Sequence, residues 1–128
     1  MPSNTEITAQ QLSRLVGLPT VPTIIDVRVP EDFDADRRVL PAAQRRDFAT
    51  VSNWAPEFAG RRVVVVCQKG LKLSQGVAAW LRHEGASAES LEGGFEAWRD
   101  VGAPLVKTEK VPPLDEAGRT VWVTRARP

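Results

Sequence analysis

The chain of 128 residues has one cysteine, Cys67, and one histidine, His83. A lone cysteine excludes an internal disulfide and a cysteine-rich metal site. A lone histidine leaves no basis for a zinc centre built on imidazoles. Charge of one sign is lacking too: the formal net charge is +1, so nothing draws the chain as a whole to nucleic acid or to an anionic membrane. No apolar run reaches the length of a membrane span, and the N-terminus is polar rather than charged and then apolar. Internal repeats and low-complexity tracts are absent. The expectations that follow are no metal, no cofactor, no nucleic-acid partner and no membrane partner. The cytoplasm, where a free thiol stays reduced, is the expected location. What is present is an ordinary globular composition, 42% apolar and 26% charged, over a length that suits one domain with a real core.

The informative stretch runs from Arg62 to Gly85. Val63–Val66 is a β-branched run long enough for a strand buried on both faces. It stops at Cys67. Polar and basic residues follow around one glycine: Gln68, Lys69, Gly70, Leu71, Lys72. A helical pattern then begins with Leu73, Val77, Trp80 and Leu81, with Ala78 and Ala79 between. The single thiol thus stands where a buried strand becomes a loop and the loop becomes a helix. In an open α/β sheet, ligands bind outside the carboxyl ends of the strands. A loop curling into a helix start turns backbone N–H groups towards its centre. Those dipoles, with Lys69 and Lys72, favour a thiolate and would hold an oxyanion. The structural alternative is an inert buried cysteine at a strand end.

Along the chain, Thr5–Thr8 suits a short edge strand. Thr8 is a plausible N-cap for a helix carrying Leu12, Leu15 and Val16 up to Gly17. Thr23–Val27 reads as a second buried strand. Asp26 and Arg28 then lie at the same sheet edge as Cys67, either lining the pocket or forming an ion pair that fixes their own loop. The ion pair is the preferred reading. Pro30–Phe33 suits a helical turn with proline at its start. Asp34–Arg46 reads as irregular, with Arg37, Arg38, Arg45 and Arg46 in a solvated loop; the alternative has one arginine leaning over the pocket to recruit an anion. Asp47–Phe58 can form a helix interrupted by Pro56, with Phe48, Val51 and Trp54 as core candidates. Ala86–Leu91 reads as a strand, Glu92-Gly93-Gly94 as a turn, and Phe95–Val101 as a helix burying Phe95 and Trp98. His83 reads as a surface residue. The alternation of strands and helices argues for an α/β sheet, mostly parallel, with helices on both faces. The domain is expected to span residues 5–106. Residues 107–128 read as a polar, proline-containing linker and tail.

Three blocks, IIDVRVPEDF at 24–33, VVVVC with its glycine-containing loop at 63–72, and LEGGFEAWRDVGAPL at 91–105, resemble the signature blocks of the rhodanese-like domain family. The resemblance covers roughly residues 5–106. It implies the rhodanese fold and a sulfurtransferase in which Cys67 takes a sulfane sulfur from thiosulfate or a similar small donor. Cys67 would carry that sulfur as a persulfide and pass it to a thiol or cyanide-like acceptor. The amides of Gln68, Lys69, Gly70, Leu71, Lys72 and Leu73 would form the cradle, with Asp26 and Arg28 in support. The common rhodanese loop has Arg five places after the cysteine and Ser next; here Lys72 and Leu73 stand there, Ser74 follows, and the segment is one residue longer. Lysine supplies charge without a planar fork. The end of the chain, VWVTRARP at 121–128, is similar to the opening of a bacterial chromate-resistance domain, which would make this the first part of a longer protein.

Two other readings stand beside the sulfurtransferase. A cysteine phosphatase or arsenate reductase needs an arginine six places after the cysteine, where this chain has Leu73. A non-catalytic rhodanese-like sensor or interaction module is the other.

Overall fold

The computed structural model describes residues 5–108. Five parallel strands form one sheet: β1 (Glu6–Ile7), β2 (Thr23–Asp26), β3 (Gln44–Arg45), β4 (Arg62–Val66) and β5 (Ser87–Leu91), in the order β1-β5-β4-β2-β3. The helices are α1 (Ala9–Ser13), α2 (Pro30–Ala35), α3 (Val51–Trp54), α4 (Lys72–His83) and α5 (Gly94–Asp100). The expected α/β architecture is therefore the one observed.

Strand alternation divides the core into two layers. Ile24, Val64 and Val66 pack with Leu12, Phe33, Phe95 and Trp98 on one face. Ile25, Val63 and Val65 pack with Trp54, Phe58, Val77, Ala78 and Leu81 on the other. Val63–Val66 is wholly buried, as an unbroken valine run in a central parallel strand should be. Each such side chain contributes about 1.5–3 kcal/mol relative to its exposed state.

The topology also sets the site. The connection after β2 leads by way of α2 to β3 on one side, and α2 buries Phe33 in the first layer. The connection after β4 leads by way of α4 to β5 on the other side, and α4 packs in the second layer. The two chain directions part between β2 and β4, which makes that carboxyl edge the switch point. Asp26 pairs with Val66, and Val27 N–H donates to the Val66 carbonyl at 2.9 Å, so Arg28 and Cys67 leave the sheet side by side.

Several local expectations change. Thr8 caps α1 reciprocally with Gln11, but the helix ends at Ser13, and Leu15 and Val16 continue in hydrogen-bonded turns. Gly17 and Pro19 follow too soon for a longer helix. The stretch read as irregular contains β3, an edge strand too short to show a pattern. Arg45 and Arg46 are not solvated: they are 7% and 6% exposed, because their guanidinium planes cover aromatic rings. The helix read over 47–58 is three short pieces, a 3-10 turn at Phe48–Thr50, α3, and a 3-10 turn at Ala55–Phe58 with Pro56 near its start. Phe48 is 37% exposed rather than core, while Phe58 is buried. Val106 closes the described domain by exchanging two backbone hydrogen bonds with Val39, at 2.8 and 2.9 Å. Most of the polar linker and the 121–128 resemblance lie outside the described residues. No helix among those described is long and apolar enough to cross a membrane.

Candidate active site

Cys67 follows β4 directly and begins a loop that runs to Leu71, the N-cap of α4. The loop is held by its backbone. Cys67 and Gln68 point their carbonyls at α5, accepting from Phe95 N–H at 2.8 Å and Glu96 N–H at 3.1 Å. In a trans peptide the following N–H points the opposite way. The amides of Gln68 and Lys69 are thus directed to the side of the loop away from α5. The Gln68 side-chain amide also donates to Glu96 Oε2 at 3.1 Å, while its Oε1 is buried with no partner among the described residues.

Two glycines make this fit possible. Gly70 has φ +71°, and a Cβ there would stand 2.5–2.7 Å from the Leu91 oxygen and the Gly94 and Gly93 nitrogens. Gly94 has φ +61°, and a Cβ there would meet the Cys67 oxygen and stand 2.5 Å from the Gly70 nitrogen. Main chain lies directly on main chain at both places, which only glycine permits. The EGG turn and the cysteine loop are one assembly.

Cys67 is 4% exposed and borders the second core layer. Among the described residues the sulfur's hydrogen-bond partner is the Ser74 hydroxyl at 3.1 Å, not a loop amide. Ser74 is fully buried in the first turn of α4 and also lies 3.4 Å from the Leu71 carbonyl. Its one proton can go to that carbonyl when the sulfur is a thiol, or to the sulfur when it is a thiolate. The rim is cationic and partly apolar: Lys69 and Lys72 are exposed, and Leu71 is 59% exposed. Leu73 is half-buried against the second layer.

Asp26 and Arg28 form the ion pair. Arg28 Nε and Nη2 donate to Asp26 Oδ2 at 3.0 and 2.9 Å, and both side chains are buried. Arg28 also donates to the Asp36 and Arg38 carbonyls at 2.8 Å each, and its guanidinium lies 4.0 Å from the Phe95 ring centre. Neither side chain opens into the site. They brace the residue whose N–H holds the Cys67 carbonyl. Arg45 adds a 2.8 Å bond to the Arg28 carbonyl, and burial pushes its guanidinium pKa down despite the Asp26 carboxylate nearby. Arg37 and Arg38 pair with Asp34 and Asp36, and Arg46 with Glu57, so none of the four arginines leans free over the loop.

Sequence reasoning placed Cys67 and its loop together. It did not place Ser74 or the Gly93–Glu96 segment at the site. The double glycine was the available signal, since a turn of that kind marks a close backbone approach.

Residues 8–100 match the rhodanese-like domain family. The chain belongs to that family. It is 35% identical over 103 residues, 76% of this chain and 90% of the other, to a thiosulfate sulfurtransferase GlpE from Tolumonas auensis. The fold of this rhodanese-like domain is shared with a rhodanese-like domain protein from Staphylococcus aureus, at TM-score 0.67 and 27% identity over 81% of this chain and 99% of that one. A Rhodopseudomonas palustris protein of unknown function, described as a possible tyrosine phosphatase, superposes at TM-score 0.69 with 26% identity, over 78% and 83% of the two chains.

Proposed function

We propose that this rhodanese-like domain is a sulfurtransferase that takes a sulfane sulfur from thiosulfate or a similar small donor onto Cys67 and passes it to a thiol or cyanide-like acceptor. The observation that carries the reading is the solitary thiol at the sheet's switch point, opening a backbone-locked loop and touching one buried hydroxyl. Family membership and the sulfurtransferase relative support sulfur transfer in general.

The chemistry needs little more than these groups. The Cys67 thiolate attacks the outer sulfur of thiosulfate, a new S–S bond forms, and sulfite leaves with the electron pair of the bond that breaks. The acceptor then attacks the outer sulfur of the persulfide, and Cys67 leaves as thiolate. No general base is required. Ser74 donates to the inner sulfur while it is anionic. The outer sulfur stands one S–S bond, about 2.05 Å, beyond Sγ. There the loop amides facing away from α5 can receive its charge, which is the role the cradle of residues 68–73 plays in this proposal. Lys69 and Lys72 attract the dianionic donor to the rim. The near-complete burial of Cys67 suits a donor whose reactive atom is terminal. The cytoplasm, where the thiol stays reduced, remains the proposed setting.

The phosphatase reading is disfavoured by Leu73, which packs apolar at the place where a bidentate arginine would have to reach over the loop. In the deciding experiment, the reduced protein is incubated with thiosulfate and weighed by mass spectrometry. A gain of one sulfur on the wild type, absent from Cys67→Ser, is expected. Equal gain on both defeats the proposal. No gain on either leaves the non-catalytic module as the better reading.

A further inference from the structure

A cleft away from Cys67 lies between α4 and the β1–β5 edge. Its volume is about 190 Å³, and Thr5, Glu6, Gln75, Ala78, Arg82 and Ser90 line it. The space equals about six waters at roughly 30 Å³ each. Its residues come from two regular arrays. Gln75, Ala78 and Arg82 are spaced i, i+3, i+7 along one stripe of α4. Glu6 and Ser90 are paired neighbours across the parallel strands, so their side chains project to the same face.

The lining carries opposite charges over a polar floor. Ser90 is 1% exposed, and its hydroxyl has no hydrogen-bond partner among the described residues. Buried hydroxyls are seldom left so. Arg82 donates to the Ala88 carbonyl at 3.0 Å and makes no ion pair among the described residues, so most of its donors are unused. Glu6 accepts from the Gln75 amide at 3.5 Å and likewise has no ion-pair partner there. Gln75 donates also to the Gly70 carbonyl at 3.3 Å, which links this cleft to the cysteine loop.

We propose that this cleft binds a compact zwitterion of the α-amino-acid class. The ligand's ammonium meets Glu6, its carboxylate meets Arg82, and its remaining polar atom satisfies Ser90. The size admits a small amino acid. The site is separate from sulfur transfer and does not depend on it.

The test is a titration of the full chain, as Cys67→Ser to remove sulfur chemistry, followed by ¹H–¹⁵N spectra. L-serine is the probe; acetate and methylammonium each carry one of its charges. L-serine is expected to move the amides of Glu6, Gln75, Ser90 and, through Gln75, Gly70, saturating in the millimolar range. Each single-charge probe should bind about tenfold or more weakly, as should L-serine to Glu6→Gln or Arg82→Gln. An unchanged spectrum means the cleft holds water only and overturns the proposal. An equal response to acetate overturns it too, leaving a simple anion site. Should either variant fail to fold, the three-probe comparison on the intact cleft still decides.

Discussion

The loops that follow β2 and β4 leave the same sheet edge as neighbours, yet opposite chemistry holds them. After β2 the loop is fixed by charge: Asp26, Arg28 and Arg45 are buried together, and Arg28 ties down the carbonyls of Asp36 and Arg38. After β4 the loop is fixed chiefly by main chain pressed on the Gly93–Gly94 turn, with uncharged amide side chains, Gln68 and Gln75, adding one bond each. The reason lies in what each must leave open. A loop that offers its amides and one sulfur to a reagent cannot fill its centre with salt bridges. A loop that only supports can. Phe95 joins the two, since its ring lies under Arg28 and its N–H holds the Cys67 carbonyl.

The sharpest break in this comparison comes from Gly94→Ala. A left-handed backbone position and a Cβ driven into the Cys67 carbonyl together cost about 2–5 kcal/mol. Denaturant unfolding should show that loss, and sulfur uptake by Cys67 should vanish in whatever remains folded. Arg28→Met is next. It leaves the buried Asp26 carboxylate with the residue 28 backbone N–H at 2.9 Å and the longer 3.5 Å Arg45 contact, and a lost buried partner costs about 3–5 kcal/mol, here at the lower end. In contrast to the glycine variant, its folded fraction should still take up sulfur. If the two variants lose activity in parallel, the division into a supporting loop and a reacting loop is wrong.

Ser74→Ala tests the reacting loop by itself. Removing a hydrogen bond to a charged sulfur should slow turnover roughly tenfold, equivalent to about 1.4 kcal/mol, with a smaller loss of stability. Unchanged turnover would leave Ser74 as packing only. The smallest effect belongs to the supporting loop's surface. The Arg38 guanidinium hydrogen-bonded to Asp36 holds that carboxyl below its ordinary range. Because the folded value lies below the unfolded one, its contribution is full above the ordinary carboxylate range and is lost as pH falls through the folded value. Asp36→Asn should therefore slightly flatten the decline of stability below about pH 4. The pair is partly exposed, so the change should be minor and should shrink further in salt.

Much of this was legible in the residues. Val63–Val66 read as a strand buried on both faces and Thr8 as a helix start, because period and capping are local properties. Arg45 and Arg46 were misread because a guanidinium is solvated or stacked according to which ring lies beside it, and Phe33, Trp54 and Phe58 come from other segments. Phe48 was misread for the converse reason: an apolar side chain stays exposed where no element covers it.

What the amino acids determined unaided was the α/β alternation and the place of the only thiol, at the end of a strand that had to be buried. Pattern and propensity act over a few residues, so they can be read without the fold. Only the tertiary structure decided what the thiol and its loop meet: a hydroxyl seven residues on, a glycine turn more than twenty residues away, and the Phe95 and Glu96 amides that hold the loop's carbonyls. Those contacts arise where β4, α4 and α5 converge, and the angle of that convergence is set by both packed layers together.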